Sequence, residues 1–388
     1  MILDVDSVSK RYGDDIAIDD VSLTVDSGEL VGLLGPSGCG KTTLVQAIAG
    51  HVRPTAGTVS LRGEAVTEEP PEQRQVGLVF QQSTLFPHMT VAENVAYGLE
   101  ATGMDPERRA ERVSKHLDLV GLDGRREAYP AELSGGQQRR VELARALAPG
   151  PDILLLDEPL SALDRTLRTR LRDEIGRIQR ATGVTTLFVT HDQEEAMALA
   201  DRLVVMDDGQ IAGAGPPREL YESPPNSFVA DFLGRSNVLR APVDGSDPLT
   251  LSVGGRDLQF EPAGDSTTGD AVTVRARPRG LNLAVPDDPD ATLSVPVTVT
   301  RISDRGTRYD LICRTGGDEE FVVEHEAEPP GIGESRTLSI ALDDLVVFDD
   351  GTGERIDGTL SMPAPATPTA QSDGVGDDEE GTRSSDFK

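Results

Sequence analysis

Cysteine, aromatic residues and long apolar runs are scarce in this sequence, and each shortage excludes a class of protein. The 388 residues include two cysteines, no tryptophan and 4% aromatic residues. Cys39 and Cys313 lie far apart, so structural disulfides and cysteine-based metal sites are not expected, and a reducing cytoplasm fits. No apolar run approaches the roughly 18–20 residues that span a bilayer, and the start lacks the features of a signal peptide. We therefore expect a chain that is soluble by itself, so that any membrane role comes through a partner.

Positive charge is also in short supply. Aspartate and glutamate number 67 against 37 lysines and arginines, a formal net charge of −30, and only four of the basic residues are lysines. A field of this sign repels a phosphate backbone, so nucleic acid is not expected as a partner. The acidic, lysine-poor composition is typical of halophilic proteins, whose hydrated carboxylates maintain solubility at high salt. An ordinary acidic cytosolic protein is the alternative interpretation.

The first part of the chain has the pattern of an α/β domain. Short apolar runs typical of buried parallel strands occur at Leu30–Leu34, Ile153–Leu156 and Thr186–Val189, with helical stretches between them. The segment Arg202–Ala212 predicts a β hairpin that closes this part. We therefore predict a doubly wound parallel sheet in a domain that spans residues 1–235.

After residue 235 the pattern changes twice. Residues 236–350 contain short alternating segments separated by Gly and Asp, which predict a small β barrel or sandwich. One of these segments is Thr337–Phe348. Residues 351–388 are rich in Pro, Ala and Thr and then in acidic residues, which is typical of a disordered, solvated tail.

A phosphate-binding loop (P-loop) follows the first buried strand. The sequence G-P-S-G-C-G-K-T matches the pattern G-x-x-x-x-G-K-[ST], with a strand before it and a helix after it. Glycines let backbone N–H groups point at phosphate oxygens, and the helix N-terminus adds positive potential. Lys41 is suited to contact the β and γ phosphates, and Thr42 to ligate Mg²⁺. The residues predicted to bind the nucleotide here are Gly35, Pro36, Ser37, Gly38, Cys39, Gly40, Lys41, Thr42 and Thr43.

Polar residues that begin or follow later elements are suited to complete a nucleotide site. Asp157 and Glu158 follow a buried strand, where open α/β sheets bind ligands; Asp157 suits the Mg²⁺ shell and Glu158 suits polarising a water. His191 also follows a strand and is expected to cap the helix of residues 193–200; taken singly, such a histidine is more often structural than catalytic. Ser134 opens another helix. By itself this is a capped helix, but beside a P-loop it is a second anion site without a phosphate of its own.

These motifs, in this order, resemble the nucleotide-binding subunit of an ATP-binding cassette (ABC) transporter. The order is the P-loop, Gln81, LSGGQ, ILLLDEP, SALD and His191, and the resemblance covers about the first 235 residues. It implies a P-loop NTPase fold, ATP bound with Mg²⁺, and ATP hydrolysis. It implies that Tyr12 stacks on adenine and that Gln81 contacts Mg²⁺ and senses the membrane partner. It also implies that Glu158 is the catalytic base and that His191 bridges the γ-phosphate and the attacking water. For Tyr12 the alternative is an ordinary core residue.

The resemblance also implies a homodimer, because in this family two subunits assemble head to tail around two ATP molecules. Ser134, Gly135, Gly136 and Gln137 would close on the ATP held by the other subunit, and Asp164 would lie in the contact between subunits. Hydrolysis would replace the bound γ-phosphate by products that repel each other and would reopen the interface.

Residues 85–91, 191–196 and 231–234 resemble importer ATPases that carry a C-terminal TOBE barrel of OB-like fold. The subgroup implies a place at the cytoplasmic face of the membrane, on integral membrane permease subunits, and an indirect link to an extracytoplasmic solute-binding protein. The apolar loop of residues 80–91 is expected to hold the permease's coupling helix, with a mobile surface loop as the alternative. The predicted solute is iron(III), a polyamine or thiamine, with sulfate, molybdate or a sugar as alternatives.

The resemblance has one departure and two rival interpretations. The stretch at residues 277–280 is Arg-Pro-Arg-Gly, where the subgroup usually has Arg-Pro-Glu-Asp, so a regulatory contact that depends on those acids is in question and the ATPase site is not. A soluble cassette ATPase of translation or DNA repair would have tandem cassettes or a long coiled coil with basic patches. A non-catalytic ATP-binding module would lack Glu158 or His191. The sequence therefore favours the importer ATPase.

Overall fold

The computed structural model describes residues 1–161, 163–243, 248–253, 255–263, 271–284 and 291–363. The first strands in chain order are β1 (Leu3–Tyr12), β2 (Asp15–Val25), β3 (Leu30–Leu34), β4 (Ala56–Leu61), β5 (Glu64–Ala65), β6 (Val76–Val79), β7 (Ile153–Asp157), β8 (Thr185–Val189), β9 (Arg202–Asp207) and β10 (Gln210–Gly215). The helices are α1 (Lys41–Ala49), α2 (Val91–Ala101), α3 (Pro106–Leu119), α4 (Gly135–Leu147), α5 (Arg165–Thr182), α6 (Gln193–Leu199), α7 (Pro217–Glu222) and α8 (Ser227–Phe232). Over the described ranges, no helix is long and apolar enough to cross a membrane.

The central sheet has six strands in the order β10-β9-β3-β8-β7-β6. The strands from β9 to β6 are parallel, and β10 is antiparallel to β9. Every residue of β3, β7 and β8 is buried. One face of the sheet packs against α1 and the other against α2 to α5, which is why these strands are continuous apolar runs. The predicted parallel sheet and the hairpin that closes it are confirmed.

A second, antiparallel sheet of order β2-β1-β4-β5 packs on the α1 side of the first. Apolar residues alternate with polar ones at residues 21–25, which predicts the end of β2 and no other part of this sheet. The rest was not predictable because β1 pairs with β4 across the whole P-loop and α1, and neither strand carries a turn that identifies its partner.

Four segments meet at one edge of the central sheet. Because β3, β8, β7 and β6 are successive neighbours and parallel, the residues that follow their carboxyl ends lie side by side. The P-loop follows β3 and Gln81 follows β6, while Asp157 ends β7 and His191 follows β8. This edge is the candidate site.

The helix after His191 begins differently from the prediction. Its N-cap is Asp192, whose side chain accepts a hydrogen bond from the Glu195 backbone N–H at 3.1 Å. The prediction that His191 caps α6 is wrong, because a carboxylate one residue later is better placed to accept from the N–H groups of the first turn. The imidazole is consequently not engaged by the helix, and the side chain is 56% exposed.

The remaining described residues form the predicted all-β region. Its strands are β11 (Asn237–Pro242), β12 (Leu249–Val253), β13 (Arg256–Pro262), β14 (Ala271–Ala276), β15 (Leu281–Asn282), β16 (Thr292–Asp304), β17 (Tyr309–Arg314), β18 (Glu320–His325), β19 (Ser335–Ala341), β20 (Leu345–Asp349) and β21 (Gly358–Ser361). They form sheets of order β11-β14-β20, β12-β13-β21 and β15-β19-β16-β17-β18 around one apolar core, which fits an OB-like barrel. The segment Thr337–Phe348, predicted as one strand, is β19 and β20 with a 3₁₀ turn at Leu342–Asp344 between them.

The boundary of the predicted tail is also corrected. Strand β21 pairs with β13, and Ile356 is 8% exposed in the core of the β region. Residues 351–361 are therefore part of the folded domain. Their few apolar side chains pack on the core of the β region, although their Gly- and Thr-rich composition does not predict this. Residues 364–388, which carry the acidic run, lie outside the described residues.

Arg277 holds the β region against the helices that end the α/β part. Its guanidinium lies 4.3 Å from the Tyr221 ring centroid and donates to the backbone carbonyls of Ala230 and Gly234 at 2.8 and 2.9 Å. The first residue of the Arg-Pro-Arg-Gly stretch thus anchors the junction, while Arg279 is exposed. The departure at residues 279–280 leaves this anchor in place.

Candidate active site

The P-loop is shaped by close backbone approaches beneath it. Gly40 has a φ of 99°, and a Cβ there would lie 2.3 Å from the Ala17 carbonyl oxygen, so only glycine fits. The Lys41 side chain is 6% exposed, and its Nζ donates to the carbonyl oxygens of Gly35 and Pro36 at 2.8 Å each. The lysine is therefore fixed inside the curve of the loop, where it can reach phosphate oxygens.

The outer surface of the same loop is open. Ser37, Gly38 and Thr42 are exposed and Thr43 is half-buried, so backbone N–H groups and the Thr42 hydroxyl are accessible to a nucleotide. Cys39 is 4% exposed, with its Sγ 3.7 Å from Lys41 Nζ, and so belongs to the inner side. The loop thus has the arrangement that phosphate binding at a helix N-terminus requires.

Asp157 is the buried carboxylate of the site. It is 6% exposed, and within the described part of the chain its Oδ1 has no hydrogen-bond partner. Burial raises the pKa of Asp157 above its ordinary value, and the charge of Glu158 raises it further. A hydrogen bond with Thr42 and the positive charge of Lys41 act in the opposite direction. An unpaired carboxylate oxygen beside a threonine hydroxyl offers the oxygen ligands that Mg²⁺ prefers, so the residues present fit this ion.

Replacing Asp157 by asparagine is expected to stabilise the nucleotide-free protein at pH 7. A raised pKa means that the folded state disfavours the ionised form of Asp157. Wild-type stability is therefore lost as the pH rises through that pKa, and the advantage of the neutral variant shrinks as the pH falls back through it. Urea unfolding of D157N at pH 7 and pH 4 measures both effects. The control is D118N, an exposed aspartate on α3, and a D157N protein less stable than wild type at pH 7 would contradict the argument.

Glu158 lies between Gln81 and His191. Gln81 Nε2 donates to Glu158 Oε2 at 2.9 Å, and His191 Nδ1 lies 3.3 Å from Glu158 Oε1. Glu158 has a φ of 44°, a conformation unusual for a residue other than glycine, with which the chain leaves β7. Its side chain is 20% exposed, so the carboxylate is partly shielded yet within reach of solvent. A carboxylate held by two polar partners and accessible to water has the geometry of a general base.

The turn at Ser134 is a separate anion-binding candidate. The Ser134 hydroxyl accepts from the Gln137 backbone N–H at 3.4 Å, and Gln137 Oε1 accepts from the Ser134 N–H at 2.9 Å. Ser134 and Gly135 are exposed, whereas a Cβ at Gly136 would lie 2.7 Å from Leu167 Cδ1. No hydrogen bond or ion pair between described residues links this turn to the P-loop. The turn is therefore not bonded to its own P-loop; it lies instead near Asp164, whose neighbour Leu163 is 3.8 Å from the position of a Gly135 Cβ.

Two further predicted contact residues are exposed. Tyr12 is 48% exposed, with Lys10 Nζ 5.1 Å from its ring centroid, so the alternative that it is a core residue is wrong. Asp164 is exposed and is the N-cap of α5, where its side chain accepts from the Leu167 N–H at 3.0 Å. Both side chains are available to a ligand or a second subunit.

Two buried charged residues on α4 were not predicted from the sequence. Arg139 and Glu142 are 7% and 2% exposed and form an ion pair of 2.7 Å. A signal was present, because Arg139 precedes the buried Leu143 by four residues and so lies on the apolar stripe of the helix. A charge at such a position requires partners from neighbouring elements.

The chain resembles known proteins in both of its parts. A family model described as ABC transporter matches residues 18–161, and one described as TOBE domain matches residues 276–348. The iron(III) ions import ATP-binding protein FbpC 1 of Rhizobium meliloti is 45% identical over 331 residues, 83% of this chain and 90% of the relative. The sulfate/thiosulfate import ATP-binding protein CysA 2 of Chromobacterium violaceum is 45% identical over 84% of this chain and 88% of the relative. A dimeric structure of MJ0796, a bacterial ABC transporter cassette, superposes with a TM-score of 0.51 and 32% identity over 56% of this chain and 99% of that one.

Proposed function

Because the chain belongs to the ABC transporter family, as the ATP-binding subunit of an importer with a TOBE domain, we propose that it powers iron(III) uptake. Membership establishes that it binds and hydrolyses ATP. The observation that carries the proposal is the contact of Glu158 with both Gln81 and His191 at the sheet edge that holds the P-loop.

The residues of the site divide the chemistry among them. The P-loop N–H groups and Lys41 bind the ATP phosphates, and the exposed Tyr12 ring stacks on adenine. Glu158 takes a proton from a water molecule while the oxygen of that water attaches to the γ phosphorus. The bond from the γ phosphorus to the oxygen that bridges the β and γ phosphates breaks, and His191 orients the water. Mg²⁺, held by Thr42, Asp157 and Gln81, would neutralise charge on the β and γ phosphates.

The active form is a head-to-tail homodimer. Ser134 and Gly135 are exposed, and within the described residues no hydrogen bond links them to their own P-loop. The N–H groups of Ser134 and Gln137 are used within the turn, so those of Gly135 and Gly136 are the ones that bind the γ-phosphate of an ATP held by a second subunit. Asp164 is exposed beside this turn, because Leu163 lies 3.8 Å from the position of a Gly135 Cβ. The solved MJ0796 cassettes to which this chain is similar are dimers, which supports the same assembly.

The dimer acts at the cytoplasmic face of the membrane, on integral permease subunits that an extracytoplasmic binding protein supplies with solute. The loop of residues 80–91 supports this because its apolar side chains before Val91 are only partly covered, namely Phe80, Leu85, Phe86 and Met89. Phe86 is half-buried and lies 4.5 Å, ring centroid to centroid, from Tyr97, which is 48% exposed. An exposed aromatic pair beside the site suits the insertion of a permease helix.

The domain bounds and the acidic composition complete the proposal. The ATPase domain spans residues 1–235, which agrees with α8 ending at Phe232 and β11 beginning at Asn237. The TOBE-type β domain follows and takes in residues 351–361. The net charge of −30 supports a halophilic protein.

The solute is proposed from the relatives, of which several import iron(III) and one imports sulfate or thiosulfate. Deleting the gene is expected to abolish uptake of labelled iron(III), and wild type but not E158Q should restore it. Spermidine, thiamine, sulfate, molybdate and maltose uptake should be unchanged. Loss of sulfate uptake alone would select the second candidate. Undiminished uptake of all six solutes would overturn the assignment of iron(III).

A further inference from the structure

One guanidinium connects three parts of the site. Arg139, on α4, donates hydrogen bonds to the backbone of two segments that carry catalytic groups. Its Nη1 donates to the Phe80 carbonyl at 2.6 Å and its Nη2 to the Gln81 carbonyl at 3.2 Å. Its Nε donates to the Pro159 carbonyl at 2.7 Å, and Nη2 also reaches the Glu158 carbonyl at 3.5 Å. The side chain therefore joins α4 to the ends of β6 and β7.

The contacted carbonyls belong to the residues whose side chains meet. Gln81 and Glu158 are in side-chain contact at 2.9 Å, and their own backbone carbonyls accept from the same Arg139 nitrogen. Glu158 adopts a positive φ, a backbone conformation that a residue other than glycine rarely adopts by itself, so surrounding contacts must hold it. An external restraint on the backbone at residues 158 and 159 is what this geometry requires, and Arg139 supplies one.

The same helix also holds the next part of the Gln81 loop. Glu142 Oε2 pairs with Arg139, while Glu142 Oε1 accepts from the Thr84 backbone N–H at 2.8 Å. Arg145 Nη1 donates to the Thr84 carbonyl at 2.8 Å. Ser134 is the N-cap of α4, so any displacement of this helix is transmitted to the backbone at both Gln81 and Glu158.

We propose that Arg139 is a positioning residue, which holds Glu158 and Gln81 in register and couples their placement to the position of the Ser134 helix. This inference rests on the proposed function, because it assigns Glu158 as the base. Arg139 touches backbone carbonyls and Glu142 and acts only through the groups that they carry. The planar fork of arginine is needed, because its nitrogens point to both segments at once and the single nitrogen of a lysine cannot.

The test uses two variants of the full chain that replace neighbouring arginines of α4 by lysine. Arg139→Lys keeps the charge opposite Glu142 and loses the fork. We expect R139K to lower kcat for MgATP at least tenfold, because displacement of catalytic groups by about 1 Å costs rate steeply. Its Kd for ATP should stay near wild type, and kcat is measured well below its unfolding midpoint, so that a loss of turnover is not a loss of folded protein.

Arg140 offers a matched control, since it is the next residue of α4 and its side chain makes no hydrogen bond or ion pair with any described residue. R140K should match wild type in kcat, Kd and unfolding midpoint. If R139K retains kcat within twofold, or if its Kd for ATP rises as much as its kcat falls, the pair is structural only and the positioning role is wrong. An active wild type with an inactive E158Q shows in the same assay that Glu158 is correctly assigned. Failure of the positioning role is thereby separated from failure of the proposed function.

Discussion

Glu158→Gln should abolish ATP turnover and leave ATP binding intact. The substitution keeps the size of the side chain and its contact with Gln81, but an amide cannot accept a proton from the attacking water. General base catalysis contributes roughly 10²- to 10⁴-fold, so the steady-state rate should fall by at least 100-fold. In the proposed homodimer the products that separate the subunits would no longer form, so the ATP-bound dimer should accumulate.

Two measurements on the same preparation check this result. Phosphate release reports turnover, and size-exclusion chromatography with MgATP reports the dimer. E72Q is the matched control, because Glu72 is an exposed glutamate of the same chain that is not a predicted site residue and forms no ion pair with any described residue. Wild-type phosphate release by E158Q would exclude Glu158 as the base. A monomeric E158Q at saturating MgATP would instead remove the argument that ATP joins two subunits.

Sequence patterns predicted those parts of the fold whose cause is local. Leu30–Leu34 is a continuous apolar run because both faces of its sheet are covered, and the glycines after it form the P-loop because of their own backbone freedom. The first sheet strand, β1, was not predicted, since its pairing with β4 depends on chain closure over a long segment. His191 was assigned a cap that Asp192 provides, because two adjacent polar residues compete for the same N–H groups.

In the candidate site, too, only the features with a local cause could be predicted from the sequence. The positions of Asp157, Glu158 and His191 at strand ends follow from local patterns, so the sequence placed them at one edge. Their mutual distances do not follow, and neither does the burial of Arg139, because both depend on how α4 packs against β6 and β7. A side chain that acts through backbone carbonyls leaves no recognisable spacing between the segments that it joins.

Lys41→Ala should abolish ATP binding. The ammonium group is the buried positive charge of the P-loop, and it is positioned by the Gly35 and Pro36 carbonyls. Hydrogen bonds to charged groups contribute about 1.5–3 kcal/mol each. Loss of those to the β and γ phosphates should therefore raise the Kd for ATP at least 100-fold. Isothermal titration with MgATP measures this directly.

The chain contains few lysines, which makes a clean control possible. Lys115 is an exposed lysine of α3 that forms no ion pair with any described residue, so K115A removes the same charge from the chain without touching the P-loop. K115A should bind ATP as wild type does, which excludes a general effect of net charge in a protein of formal charge −30. Unchanged affinity in K41A would mean that the loop's N–H groups bind the phosphates without the lysine. Equal losses of ATP affinity in K41A and K115A would point instead to long-range electrostatics. A direct contact with the phosphates would be lost only in K41A, whereas one positive charge is lost in both variants.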